Sequence, residues 1–184
     1  HRDLHSFPTR RSSDLERRNR LTIADSSVRD VSALGSAAWA WIPASSDRIS
    51  VVENAHTRVF PKPAWFGGIA HLVADAAHRR VLYTGWGGPG ADSVGLGALS
   101  LDSGTHAVWT AASGDAGRIV LVDGHDALFL VQEGRESWHL YTADGPNRVA
   151  SIGTIPRPVT SLTSSRDLKR IVANVRDYRA DAWM

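Results

Sequence analysis

Val159-Thr160-Ser161-Leu162-Thr163-Ser164-Ser165-Arg166-Asp167-Leu168-Lys169-Arg170-Ile171-Val172-Ala173-Asn174-Val175-Arg176-Asp177-Tyr178-Arg179-Ala180-Asp181-Ala182-Trp183-Met184 reads as a strand, a tight polar turn, a second strand, a short loop and the start of a third strand. Two upstream segments have the same order. In the clearer one, residues 69–74 form a strand, Asp75-Ala76-Ala77-His78 a turn and residues 79–86 a second strand. A Gly-rich loop then leads to a strand over 94–101, a turn at Asp102-Ser103-Gly104 and a fourth strand over 106–111. The next unit places strands over 118–122, 127–132, 137–142 and 148–155, with turns at Asp123-Gly124-His125-Asp126 and Asp144-Gly145-Pro146.

The turn aspartates measure the repeat. Asp75, Asp123 and Asp167 are 48 and 44 residues apart, and Asp102 and Asp144 are 42 apart. A four-stranded propeller blade takes about 40–50 residues. Turns every ten residues or so also occur in β-sandwiches, but recurrence at blade length does not. An isolated four-stranded sheet has two apolar faces to cover, and radial stacking covers both. The reading is therefore all-β, a partial β-propeller of three to four four-stranded antiparallel blades. Their approximate bounds are 21–66, 67–115, 116–157 and a truncated 158–184, after a lead-in over 1–20.

The first unit is the least regular. A strand over 36–42 carries Trp39 and Trp41 on one face and is ended by Pro43 and Ser45-Ser46-Asp47. Strands over 48–52 and 56–60 follow, and residues 21–24 are a candidate earlier strand. Asp47 precedes Asp75 by fewer residues than the later repeat length, which leaves the register of this unit open.

At 184 residues the chain can bury a substantial core. Seven Trp against one Met and no Cys suits repeated strands and excludes disulfides and thiolate metal sites. A net charge of +2, without a basic run interleaved with aromatics, gives nucleic-acid binding no support. No apolar run approaches the roughly 18–20 residues of a membrane span, so membrane insertion is not expected.

Residues 1–15, His1-Arg2-Asp3-Leu4-His5-Ser6-Phe7-Pro8-Thr9-Arg10-Arg11-Ser12-Ser13-Asp14-Leu15, resemble one reading frame of a widely used sequencing-library adapter and are set aside from the fold. His1-Arg2-Asp3-Leu4 imitates a kinase catalytic loop, but Pro8 stands where that loop needs Asn and no D-F-G follows.

Ser164-Ser165-Arg166-Asp167-Leu168-Lys169-Arg170-Ile171-Val172 is similar to the repeat signature of TolB-like and WD-repeat-like propellers, S-P-D-G-[KR]-x-[IVL]-x-[FYV]. Leu168 replaces its Gly and Arg166 its Pro. Asp75-Ala76-Ala77-His78-Arg79-Arg80-Val81 resembles it more loosely, and Leu101-Asp102-Ser103-Gly104 resembles the family's L-x-T-G turn. Asp181-Ala182-Trp183 is similar to the D-[IVA]-W strand of propellers found C-terminal to bacterial serine/threonine kinase domains. The resemblance covers about residues 69–184. It implies a non-catalytic sensory or interaction module of a larger bacterial protein, with a protein partner or small ligand on the loop face, and it favours an extracytoplasmic compartment. The alternatives are a propeller hydrolase or lyase, the gating propeller of a serine peptidase, and a periplasmic TolB-like scaffold. No G-x-S-x-G elbow is present to support the peptidase.

Gly85-Trp86-Gly87-Gly88-Pro89-Gly90 satisfies G-x-G-x-x-G, but a strand rather than a helix follows and Pro89 interrupts the N–H cradle, so no nucleotide cofactor is expected. A long Gly-rich loop still suits ligand contact. The candidate contacts are His71, Trp86, Gly87, Gly88, Gly90 and Arg135; His71 is chosen because first strands line a propeller's channel. Asp123-Gly124-His125-Asp126 is read as a hairpin turn, since a metal would need ligands from elsewhere. His78, His106 and His139 show no ligand spacing, and the Trp residues are assigned to inter-blade core rather than to a sugar platform. No metal, cofactor or catalytic residue is expected. An unclosed ring would leave a bare strand edge after Met184, so residues 16–184 expressed alone are expected to associate; a sharply melting monomer at micromolar concentration would contradict this.

Overall fold

The computed structural model describes residues 27–87, 93–122, 125–134, 137–146, 148–157, 159–165 and 169–175. They form fourteen strands, and no helix occurs among the described residues. The first sheet is an antiparallel meander of β1 (Val28–Ala33), β2 (Trp39–Pro43), β3 (Arg48–Glu53) and β4 (His56–Pro61). The second contains β5 (Phe66–Asp75), β6 (Arg80–Gly87), β7 (Ser93–Ser100) and β8 (His106–Ser113). The third contains β9 (Asp115–Val122), β10 (His125–Glu133), β11 (Ser137–Ala143) and β12 (Val149–Ile155). A final hairpin pairs β13 (Val159–Ser164) with β14 (Ile171–Val175).

The sheets stack radially, with β1 on β5, β5 on β9 and β9 on β13. Hydrophobic burial between faces drives this arrangement. Along β6, Val81 and Tyr83 enter the core between the first and second sheets, while Leu82 enters the core between the second and third. Along β10, Phe129 and Val131 face back into that second core, and Leu128 and Leu130 face forward into a third. Side chains alternate across a strand, so a strand buried on both faces is apolar without interruption. That explains the runs Val81-Leu82-Tyr83 and Leu128-Phe129-Leu130-Val131. Fully burying each such aliphatic side chain stabilises the fold by roughly 1.5–3 kcal/mol.

The first unit differs from the sequence expectation. Its first strand is Val28–Ala33, residues 36–38 are outside the strands, and the second strand begins at Trp39. Residues 21–24 lie outside the described residues. The turn at Asp47 joins β2 to β3, so it is the second hairpin of its sheet and not the counterpart of the turn after Asp75. The short spacing between those two aspartates follows from this.

The tryptophans divide. Trp109 is in the second core, and Trp65 and Trp138 pack against the first and third. Trp41 is buried on the face of β2 opposite Ala40 and Ile42, and Trp39 is half-buried. Trp183 lies outside the described residues.

Polar ties fix one sheet against the next. Arg58 donates to the Leu101 carbonyl at 2.6 Å and pairs with Glu53, which also receives Arg79. The Thr84 hydroxyl donates to the Gly117 carbonyl at 2.8 Å. Tyr83, fully buried, places its hydroxyl 2.8 Å from His106 Nδ1. Burial raises the Tyr83 pKa. Burial also pushes the His106 imidazole below its usual range, against a smaller upward pull from the Pro61 carbonyl.

Candidate functional site

The innermost strands β1, β5 and β9 have one edge without a strand partner in their own sheets. Such edges leave backbone groups to be satisfied. On β5 the preceding sheet supplies the acceptors: Leu72 N–H donates to Asp30 Oδ2 at 3.1 Å, and Ala74 N–H donates to the Ser32 hydroxyl at 3.0 Å. Asp30 Oδ2 also lies 3.2 Å from His71 Nδ1, and Arg118 reaches Asp30 Oδ1 at 3.5 Å. Three successive sheets therefore contribute Asp30, His71 and Arg118 to one polar layer. Burial works to raise the Asp30 pKa. The hydrogen bonds from His71 and Leu72, with the charges of His71 and Arg118, outweigh it and hold the carboxyl below its ordinary value.

Towards the first hairpins lies a cavity of about 630 Å³, a size within the usual range of small-ligand sites. Its apolar lining includes Leu34, Ala74, Leu121 and Val122, and its polar lining Asp75, His78, Arg80 and Asp126. The turn after β5 organises the polar lining. Asp75 accepts from the His78 N–H at 3.3 Å, lies 2.7 Å from His78 Nδ1 and accepts from Arg80 Nε at 2.8 Å. Arg80 extends to the next sheet and donates to Asp126 Oδ1 at 2.5 Å, with its guanidinium 5.2 Å from the Trp109 ring centre. Desolvation opposes ionisation of Asp75, but bonds from Arg80 and His78 keep its pKa below the ordinary range. For Arg80, burial lowers the pKa, and the bonds and charges of Asp126 and Asp75 more than compensate.

These shifts predict a two-stage loss of stability in acid. The unfolded chain titrates His106 near its ordinary 6.5, above the folded value, so protons favour unfolding as pH falls below about 6.5. Asp30 and Asp75 have folded pKa values below 3.8, so their contribution is complete above that value and is lost as pH falls through the folded ones. Urea midpoints measured against pH should show both declines. His106→Gln, which keeps an acceptor for Tyr83, should remove the upper one; its persistence in that variant would refute the assignment.

The residues chosen from sequence are not brought together in the cavity. His71 joins the polar layer. Trp86 lies at the other end of its sheet, paired with Gly68, where a Cβ would fall 2.3 Å from the indole. Its ring is 5.2 Å from the Arg29 guanidinium. Gly87 follows with φ +129°, a conformation few other residues adopt. Gly88, Gly90 and Arg135 lie outside the described residues, as do Asp123 and Gly124. Asp30, Arg80, Arg118 and Asp126 were not anticipated as site residues. A signal was available in retrospect: Asp30 and His71 are 41 residues apart and Arg80 and Asp126 are 46 apart, close to one repeat.

The radial stacking of four-stranded sheets around a shared set of inner strands defines a β-propeller fold. No protein-family model matches the chain, and no curated protein matches it. Solved structures do. A protein of the nidogen/laminin complex superposes with a TM-score of 0.64 at 13% identity, over 83% of this chain and 57% of that one. Streptogramin B lyase gives 0.54 at 16% identity, over 77% and 45%. A protein of Bacteroides uniformis, provisionally described as a 6-phosphogluconolactonase, gives 0.55 at 15% identity, over 81% and 47%. The chain thus spans about half the length of these structures. At such identities the likeness concerns the fold alone.

Proposed function

We propose that the chain is a non-catalytic, ligand-binding portion of a β-propeller within a larger protein, and that it binds at the hairpin-side cavity. The observation that carries this reading is the cavity itself, walled by the first hairpin regions of three successive sheets and lined by apolar residues together with a hydrogen-bonded polar group. The TolB-like resemblance adds a sensory or interaction role, with a serine/threonine kinase as the candidate parent. The Asp30–His71 pair favours a second reading, a propeller enzyme with His71 as general base. Asp30, however, also holds the Leu72 N–H and Arg118, so its role is read as a tie between sheets. The test is amide NMR with a fragment set of small amines, acids and alcohols. Shifts confined to residues 33–35, 74–80, 121, 122 and 126 support the reading, and shifts centred on Trp86 and Gly87 would overturn it.

A further inference from the structure

We propose that the hairpin-side cavity takes a primary ammonium group carried on a short apolar stem, with Asp126 as its acceptor. This deepens the ligand-binding reading above and rests on it. The charge of the wall favours a cation. Asp75 and Asp126 set two carboxylates against the single guanidinium of Arg80 in the wall, an excess of one negative charge among these three groups. A concave, partly desolvated site magnifies that charge for an incoming cation.

The hydrogen-bond partners of the charged groups favour it as well. Arg80 would be the natural partner of an anionic ligand, but its Nε is bonded to Asp75, one of its two terminal nitrogens, Nη2, to Asp126, and its guanidinium lies by Trp109. Its charge is already compensated. Asp75 is engaged by the His78 N–H, His78 Nδ1 and Arg80. Asp126 differs: Oδ1 receives Arg80, whereas Oδ2 has no hydrogen-bond partner among the described residues, and the side chain is 27% exposed. An open carboxylate oxygen on a residue that lines a cavity calls for a donor, and an ammonium provides a charge-assisted one. Leu34, Ala74 and Leu121, which line the same cavity, offer no polar side-chain atom, which suits a stem of a few methylenes.

Three probes of equal length test the inference on the full chain: pentylamine, pentan-1-ol and pentanoate, each titrated while amide shifts of residues 74–80, 121, 122 and 126 are followed. Pentylamine should saturate, the alcohol should bind at least about tenfold more weakly, and the acid should produce no saturable shift. Asp126→Asn should weaken pentylamine about tenfold or more, while Asp115→Asn, on exposed Asp115 at the start of β9, should leave binding unchanged. Ala77→Phe, at an exposed position lining the cavity, should block all binding without disturbing the fold. Comparable binding of all three probes would overturn the ammonium assignment and leave the cavity reading standing. Amine binding indifferent to Asp126→Asn would also overturn the assignment. No saturable shift with any probe would overturn both.

Discussion

Replacing Asp75 with alanine is expected to lower the unfolding free energy by about 3 kcal/mol. Its side chain is 8% exposed, and it is the acceptor on which the β5–β6 turn and Arg80 both depend. An intact buried ion pair adds little net stability, because desolvation offsets most of the attraction. Removing one partner is different, since the other is left desolvated. Arg80, 17% exposed, would keep only Asp126, and the His78 N–H would lose its acceptor. Arg80→Ala should cost a similar amount by stranding Asp75. The double variant should cost clearly less than the two single losses combined, because each deletion already removes the shared interaction. Urea denaturation of the four proteins measures this. A loss below about 1 kcal/mol for Asp75→Ala would mean that water reaches the network and that the pair behaves like a surface one.

Gly97→Ala should be nearly as damaging, at about 3 kcal/mol, although it adds a single methyl group to a strand. Gly97 on β7 is paired with Tyr83 on β6, and a Cβ there would lie 2.4 Å from Cζ of the Tyr83 ring. The ring has little room to yield. It is fully buried, packs against Phe66 at 5.3 Å between centres, and is held by His106 at its hydroxyl. Elsewhere in a strand, Gly→Ala usually stabilises, because glycine loses more backbone entropy on folding. The sign at this position therefore separates close packing from conformational entropy. In a Tyr83→Leu background the same substitution should cost less than about 1 kcal/mol, a coupling that only direct contact produces. Equal costs in the two backgrounds would show that the methyl group clashes with something other than the ring.

The two variants probe different features of the ring. The first tests how neighbouring sheets are tied across a cavity, and the second how the two middle strands of one sheet close over a buried aromatic. Neither residue carries a feature that distinguishes it within the chain. Asp75 reads as an ordinary turn aspartate, and Gly97 as one of several glycines in a small-residue strand.

Local pattern was enough to determine the all-β class and most of the strand order. Turn chemistry and two-residue alternation act over a few positions, and the uninterrupted apolar runs of β6 and β10 already imply burial on both faces. Spacing of the turn aspartates then indicates a repeated sheet. Pattern failed at β1, whose Val28-Arg29-Asp30-Val31-Ser32-Ala33 lacks the apolar density of a core strand. That strand is largely exposed, and two of its polar side chains satisfy the open edge of β5, a demand visible only once the sheets are stacked. The candidate sites depend on the same step. Asp30 meets Arg118 across 88 residues of chain, and Arg80 meets Asp126 across 46. Alternation indicates which side of its own strand a residue occupies, but not which neighbouring sheet that side will face. Radial packing settles the partner, and so decides which carboxylate is fully engaged within the fold and which keeps an unpartnered oxygen among the described residues.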